Sequence, residues 1–285
     1  MTRHLLVLLV LAVTIGRAQD STEIPPLKEF HQTEGWTGRK IASTATVGLI
    51  FTTTWIDAYY TWWRDVEKPF SFFTNDWLKG QQLGLDKAGH FLGTYAIFKI
   101  TRNIMLWGGY DRPTAFWWAT GLALFNGLQI EIGDGFTPYG FDYQDLIFDF
   151  AGVGYGMLQA EVPFLENFNV KFSYWSSTGV KTPIQFTKDY DAMTVWLSLN
   201  VHNLLPEKAA EYWPRWLNIG VGYGVDDNMT RRELAIGFDL NLEGFSTRSE
   251  DVLLAERLGD LWHLPMPAVK FTTGKEPQYY LLYTR

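Results

Sequence analysis

Eight side chains able to carry charge or ligate fall into two short stretches of this chain. The first, Asp86-Lys87-Ala88-Gly89-His90, supplies a carboxylate, an ammonium and an imidazole. The second runs from Glu131 to Gly152 and supplies Glu131, Asp134, Asp142, Asp145 and Asp149, set among four glycines and one proline. Carboxylates flanked by apolar sequence are costly unless they are paired, hydrogen-bonded or coordinating something. Asp86 and His90 are spaced i, i+4, as are Asp145 and Asp149, so each pair shares a helix face. Three kinds of chemistry fit. Lys87 and His90 can neutralise the carboxylates and lock the loop from Gly133 to Phe141 as a structural network. The same cations, with helix N-terminal amides, can receive a polar headgroup, although the surplus of carboxylates opposes an anion. A hydrolytic or metal site would use Glu131 as base and His90 with Asp145 as ligand or acid. Oxygen-rich ligation suits Mg, Mn or Ca better than Zn. One histidine among carboxylates makes no metal motif, so no metal and no cofactor is assigned.

Four apolar segments must position these groups. Ile41 to Trp62 carries one charge, Asp57, and is long enough for a transmembrane or deeply buried helix, ending in the aromatic-then-basic edge Tyr59-Tyr60-Thr61-Trp62-Trp63-Arg64. A second helix is expected from Asp86, as its cap, to Trp107, stopped by Gly108-Gly109. Pro113 suits the first turn of a third, which runs to about Ile132. Asp142 caps a fourth, with Asp145 at capping-box spacing, and that helix fades near Pro163. Small residues recur every fourth position at Gly89/Gly93, at Ala115/Ala119/Ala123/Gly127 and at Gly152/Gly156, a pattern that lets helices approach closely, as in membranes. Antiparallel packing through short connections then brings both charged stretches to one end of the bundle. Lys99 and Arg102, mid-helix in the second segment, either snorkel to an interface or face the bundle interior.

Beyond Pro163 the period changes to two. Val195, Leu197, Leu199 and Val201 alternate with polar positions; Leu217 to Tyr223 and Leu234 to Leu242 do the same, joined by an Asp226-Asp227-Asn228 turn. Shorter candidates at 170–175, 268–273 and 279–284 bring the count to about six strands, too few to close a transmembrane barrel. The expectation is an antiparallel sheet that lays its apolar face on the helical unit or on lipid. The fold class is therefore α+β: a four-helix, membrane-associated bundle (37–163) followed by an antiparallel β region (164–285).

Composition narrows the setting. A formal net charge of -7 gives no basic footprint for nucleic acid. An apolar content of 47% excludes a disordered chain, and 13 Trp suit places that are dry at one end and wet at the other. The sequence contains no cysteine, which excludes disulfides, thiol catalysis and zinc–thiolate sites. Arg3 and His4, the apolar run Leu5 to Ile15 and then Gly16-Arg17-Ala18 read as a cleavable leader (1–18), with an extended, Pro-Pro-containing lead-in at 19–36. His31, His202 and His263 stand alone among aromatic or apolar neighbours and read as satisfied structural residues. No Gly-x-Ser-x-Gly, P-loop or His-Glu-x-x-His pattern is present.

The set Asp86-Lys87-x-x-His90-Phe91, Glu131 and Asp145-x-x-x-Asp149-x-x-Gly152 resembles the pattern of VanZ-like membrane proteins. With Asp134-Gly135-Phe136 and Tyr139-Gly140-Phe141 between, it is similar to the YfiM-like family of predicted periplasmic lipoproteins, over roughly residues 75 to 160. Those relatives usually carry Asn at the position of Asp149, and their lipoprotein members an acylated Cys that this sequence lacks. The resemblance implies a bacterial cell-envelope protein with a four-helix unit and no established reaction. The expected function is non-enzymatic: a membrane-associated, periplasmic or outer-membrane protein whose Asp/His/Glu cluster organises a lipid- or partner-binding end. The alternative is an envelope hydrolase acting on a lipid-linked or cell-wall substrate.

Overall fold

The computed structural model describes residues 29–73, 80, 82–175, 189–245 and 249–285. The expected leader and the first part of the lead-in lie outside them. Helix α1 spans Gly38–Ala58, capped by Thr37, whose hydroxyl accepts from Lys40 N, and it widens into one π-helical turn over Tyr59–Trp63. Helix α2 spans Leu85–Trp107 and stops at Gly108. Asp111 caps α3, Arg112–Gly135, where Pro113 sits in the first turn because a missing N–H costs nothing there. Asp142 caps α4, Tyr143–Glu161, by accepting from Gln144 N at 2.8 Å. The four expected helical segments are all present. Three short helices bring the α-helices among the described residues to seven: α5 (Val201–Leu204), α6 (Glu207–Ala210) and α7 (Glu250–Gly259).

Two expectations about the helices are corrected. No helix among the described residues is long and apolar enough to cross a membrane; the frequent Thr and Gly of α1 keep its hydropathy too low. Asp86 does not cap α2: Gly84 holds that position at φ +88, and Asp86 lies in the first turn. The small-residue ladder is real on α3 and α4, where Ala115, Ala119 and Ala123 are fully buried. At Gly152 a Cβ would stand 2.1 Å from Phe91 O of α2, so only glycine lets those two backbones meet. Gly93 faces open space and contributes nothing to this contact. Two apolar clusters bind the helices together, one around Phe98, Ala119, Ala123 and Val153, the other around Val47, Ile104 and Met105.

Strands β1 (Phe72–Phe73) and β2 (Phe141–Asp142) form a short parallel pair that fastens the segment after α1 to the α3–α4 loop. The remaining six strands form one antiparallel meander in sequence order: β3 (Phe168–Tyr174), β4 (Met193–Leu199), β5 (Leu217–Val225), β6 (Arg232–Leu240), β7 (Met266–Thr272) and β8 (Gln278–Tyr283). The free side of β3 is covered by residues 261–263, through Phe172 N to Leu261 O at 3.0 Å and His263 N to Phe172 O at 2.9 Å.

The sheet is inside out. Its register puts Phe172, Val195, Tyr223, Leu234 and Phe271 on one face and Ser173, Thr194, Gly224, Glu233 and Thr272 on the other. The polar face is the one enclosed. Trp196 from β4 touches Tyr283 from β8 at 5.6 Å between ring centroids, whereas four flat strand spacings would hold them about 19 Å apart. The strong curl wraps the sheet around Trp196, Lys171, Asp239 and His263, which stacks on Trp196 at 3.7 Å. On the opposite face the β3–β5 side of the sheet meets α2, where Val170 and Val195 join the cluster of Leu92 and Tyr95. Leu197, Leu234 and Ile236 remain 41–44% exposed. Of the two expected settings for the apolar face, the helical unit or lipid, the first holds on the β3–β5 side of the sheet, and the face beyond it stays exposed.

Candidate functional site

The start of α2, the end of α3 and the start of α4 meet at one end of the helical unit and bring seven of the eight predicted groups into mutual contact. The His90 ring lies at the centre. Its Nδ1 stands 3.3 Å from both carboxylate oxygens of Asp149 and 3.7 Å from Glu131 Oε1. Its Nε2 faces Asp145 Oδ2 at 3.8 Å and Asp86 Oδ1 at 3.9 Å. Lys87, fully buried, serves the second side: its Nζ lies 2.5 Å from Asp145 Oδ1, 2.9 Å from Asp142 Oδ2 and 3.3 Å from Asp86 Oδ2. The eighth group, Asp134, stands apart and accepts a 2.8 Å hydrogen bond from Trp63 Nε1.

The expected capping box is filled differently. Asp145 does not reach back to the Asp142 backbone; Asp142 N donates instead to Glu131 Oε2 at 3.0 Å, so a residue of α3 closes the first turn of α4. Segment 68–73 staples the intervening loop, with Lys68 N donating to Phe136 O, Ser71 N to Gly135 O and Phe141 N to Ser71 O. Gly140, at φ +74, makes the turn where a Cβ would stand 2.7 Å from that of Phe73. The loop lock proposed from composition is thus built by backbone pairing with the segment after α1.

Burial and helix dipoles set the electrostatics. Burial pushes Glu131 up to about 9, with Asp145 and Asp149 adding to it and His90 opposing. Its place near the C-terminal end of α3, where the macrodipole disfavours negative charge, acts in the same direction. Burial also pushes Asp134 and Asp145 up to about 6. Burial alone would lower His90, but Asp149, Asp145 and Asp86 hold its imidazole well above its ordinary value. Asp86 is the exception among the shifted carboxylates: His90, the Tyr190 hydroxyl and Lys87 outweigh its burial and hold it below the usual range. At neutral pH the cluster contains an imidazolium, an ammonium and at least one neutral acid.

Three partners were missed in the sequence. Tyr190 donates to Asp86 Oδ1 at 2.6 Å, Trp63 serves Asp134, and Thr94 donates to Asp149 O at 2.8 Å. Thr94 lies one turn beyond His90 and was within reach of helix periodicity. Tyr190 lies 104 residues from Asp86 in a short irregular segment, where no periodicity points to it. Of the lone histidines, His31 pairs with Glu250, the His202 ring bonds Trp213 O and His263 is enclosed by the sheet. Lys99 reaches Asn169 at the helix–sheet junction, which settles it as an interior group.

Beside the cluster an apolar cleft of about 390 Å³ opens between the helices and the sheet. Ala88 and Phe91 of α2 and Phe148 of α4 form one wall; Val195, Leu197 and Val221 form the other, and the stem of Lys87 lies at its end. The Tyr223 hydroxyl fixes the two walls together by donating to Leu83 O at 2.5 Å.

No curated protein and no solved structure matches the chain. Residues 72–161 match a family model described as "Predicted periplasmic lipoprotein (DUF2279)". The matched span contains α2, α3, α4 and every member of the charged cluster, and it supports an exported, cell-envelope localisation for this chain.

Proposed function

We propose that this is an envelope protein that takes the apolar part of a membrane lipid into the cleft between α2 and the sheet, while the charged cluster holds that end of the helical unit rigid. One observation carries the reading: the cleft wall Val195, Leu197 and Val221 continues without a break onto the outward residues Leu234, Ile236 and Phe271. An apolar strand face turned outward over a polar, enclosed one is the pattern of strands that face lipid. Contiguous exposed apolar surface of this kind marks an interaction site rather than ordinary scatter. Membrane association in this reading is lateral, through the sheet face, and the bundle docks rather than spans. The YfiM-like and VanZ-like likeness of the Asp86, His90, Glu131 and Asp145 pattern belongs to the same proposal, with a membrane lipid rather than nucleic acid as partner.

The test is native mass spectrometry on protein extracted from membranes in mild detergent. Wild-type chain is expected to retain lipid, and Leu197→Asp to lose it, since this half-exposed side chain lines the cleft and tolerates a charge without disturbing the core. A wild-type protein free of lipid that also fails to co-sediment with phospholipid vesicles would sink the proposal.

A hydrolytic reading rests on a different observation: Asp86, His90 and Asp145 keep 11–18% of their side chains accessible. Glu131, protonated and 1% exposed, does not serve as its base. Asp145, brought to about 6, takes that place, a value suited to proton transfer near neutrality. Loss of turnover on a lipid-linked or cell-wall substrate in Asp145→Asn, at unchanged melting temperature, would favour this reading over the first.

A further inference from the structure

We infer that Glu131, Asp149 and His90 form a binding site for one divalent cation on the Nδ1 side of the imidazole. The inference is independent of what the cleft takes up. Its first support is spacing. His90 Nδ1 lies 3.3 Å from Asp149 Oδ1 and Oδ2 and 3.7 Å from Glu131 Oε1. These separations are long for charge-assisted hydrogen bonds, which close to about 2.7–2.9 Å. Bonds of about 2.0–2.2 Å at octahedral to tetrahedral angles hold the ligand atoms of one ion roughly 2.8–3.6 Å apart, a range that contains both Asp149 separations, with Glu131 Oε1 just beyond it.

The second support is an oxygen with nothing to bond. Glu131 is 1% exposed, and its Oε1, turned toward the imidazole, has no hydrogen-bond partner. A buried polar atom left in this way calls for an explanation such as an ion. The third is the distribution of positive charge. Lys87 sits among Asp86, Asp142 and Asp145 on the Nε2 side. Among the described residues no Lys or Arg pairs with Glu131 or Asp149, so the imidazole alone faces both carboxylates. One nitrogen with carboxylate oxygens suits Mn²⁺, which accepts both donor types.

The experiment uses the full chain in mild detergent, stripped with EDTA and titrated with Mn²⁺ alone. Electron paramagnetic resonance reads free Mn²⁺ from its aqueous signal, and pulsed measurements read nitrogen coupling at the bound ion. The expected result is one Mn²⁺ per chain with nitrogen coupling, lost in His90→Gln, and binding weakened at least about tenfold in both Glu131→Gln and Asp149→Asn. Three results overturn the inference: no binding by folded wild-type chain, bound Mn²⁺ without nitrogen coupling, or affinity unmoved by either carboxylate variant. The wild-type stoichiometry and nitrogen coupling need no variant, so a misfolded substitution leaves the inference open to refutation.

Discussion

Two buried charged clusters among the described residues are built on opposite plans. Inside the curled sheet, Lys171 Nζ lies 2.8 Å from both Asp239 Oδ2 and Asp260 Oδ1, and Asp239 Oδ2 also accepts from Ser198 at 2.5 Å. One ammonium holds two carboxylates at bonding distance, and all three side chains are closed to solvent. His263, beside them, is pushed down by burial and is neutral at pH 7. At the end of the helical unit, His90 stands 3.3–3.9 Å from four carboxylates and two of them have no other cation. Short bonds and near-balanced charge mark the sheet network, although its Asp239 Oδ1 and Asp260 Oδ2 are, like Glu131 Oε1, without a hydrogen-bond partner. Long separations and surplus negative charge mark one that leaves work for something from outside.

The largest test of this contrast is Lys171→Met, which leaves Asp239 and Asp260 buried without a counter-charge. Breaking a buried pair costs about 3–5 kcal/mol, so urea denaturation should show the variant barely folded or unfolded. A loss below about 1 kcal/mol would mean that the sheet is not held by this pair. Next in size is Gly152→Ala, where the added Cβ meets Phe91 O. Overpacking of this kind costs about 1–3 kcal/mol and should lower the melting temperature. Gly154→Ala on the same helix meets nothing within 4 Å and should instead raise stability by about 0.4–1 kcal/mol. Equal effects at the two positions would remove close α2–α4 approach as the reason for the small residues.

The third test is pH. Burial, partly offset by Lys171, pushes Asp260 up to about 6 from an ordinary 3.8. Between those values the folded state keeps a proton that the unfolded chain has released, so stability falls as pH rises from about 4 to about 6 and levels beyond. One proton limits this contribution to about 1.4 kcal/mol per pH unit. Asp260→Asn should flatten the slope in that window, read from urea midpoints at stepped pH. An unchanged slope would mean that Asp260 is ionised throughout.

Sequence periodicity resolved the helical cluster better than the sheet cluster, and the reason is geometric. Pairs at i, i+4 such as Asp86/His90 and Asp145/Asp149 declare a shared face by themselves, and caps such as Asp142 fix where the face begins. Short connections then leave little choice about which helix ends meet. The strand alternation of Leu217–Val225 and Arg232–Leu240 was equally legible, and all six strands are present within a few residues of their expected bounds. Alternation separates two faces without saying which one the curl encloses. Nothing in the alternation marks Lys171 and Asp239 as enclosed, although both are wholly buried. Of the two readings of α1, transmembrane or deeply buried, the transmembrane one is not met because low charge is not high hydropathy: Thr44, Thr46, Thr52, Thr53 and Thr54 dilute the apolar residues.

The smallest expected effect separates the two plans most directly. At neutral pH Glu131 is held protonated by burial, so Glu131→Gln replaces a neutral acid by a neutral amide of the same shape. The amide oxygen can still accept from Asp142 N, the bond now made by Oε2, and the amide nitrogen takes the position of the unpartnered Oε1. In EDTA-treated protein the stability change should therefore stay under about 1 kcal/mol. Asp239→Asn, by contrast, strips a charged acceptor from both Lys171 and Ser198. Hydrogen bonds to charged groups contribute about 1.5–3 kcal/mol each, so this loss should exceed that at Glu131 severalfold. Urea denaturation of the two variants side by side decides the matter. Comparable losses would show that Glu131 is ionised and bonded in the fold, and the helical cluster would then be a structural network of the same kind as the one inside the sheet.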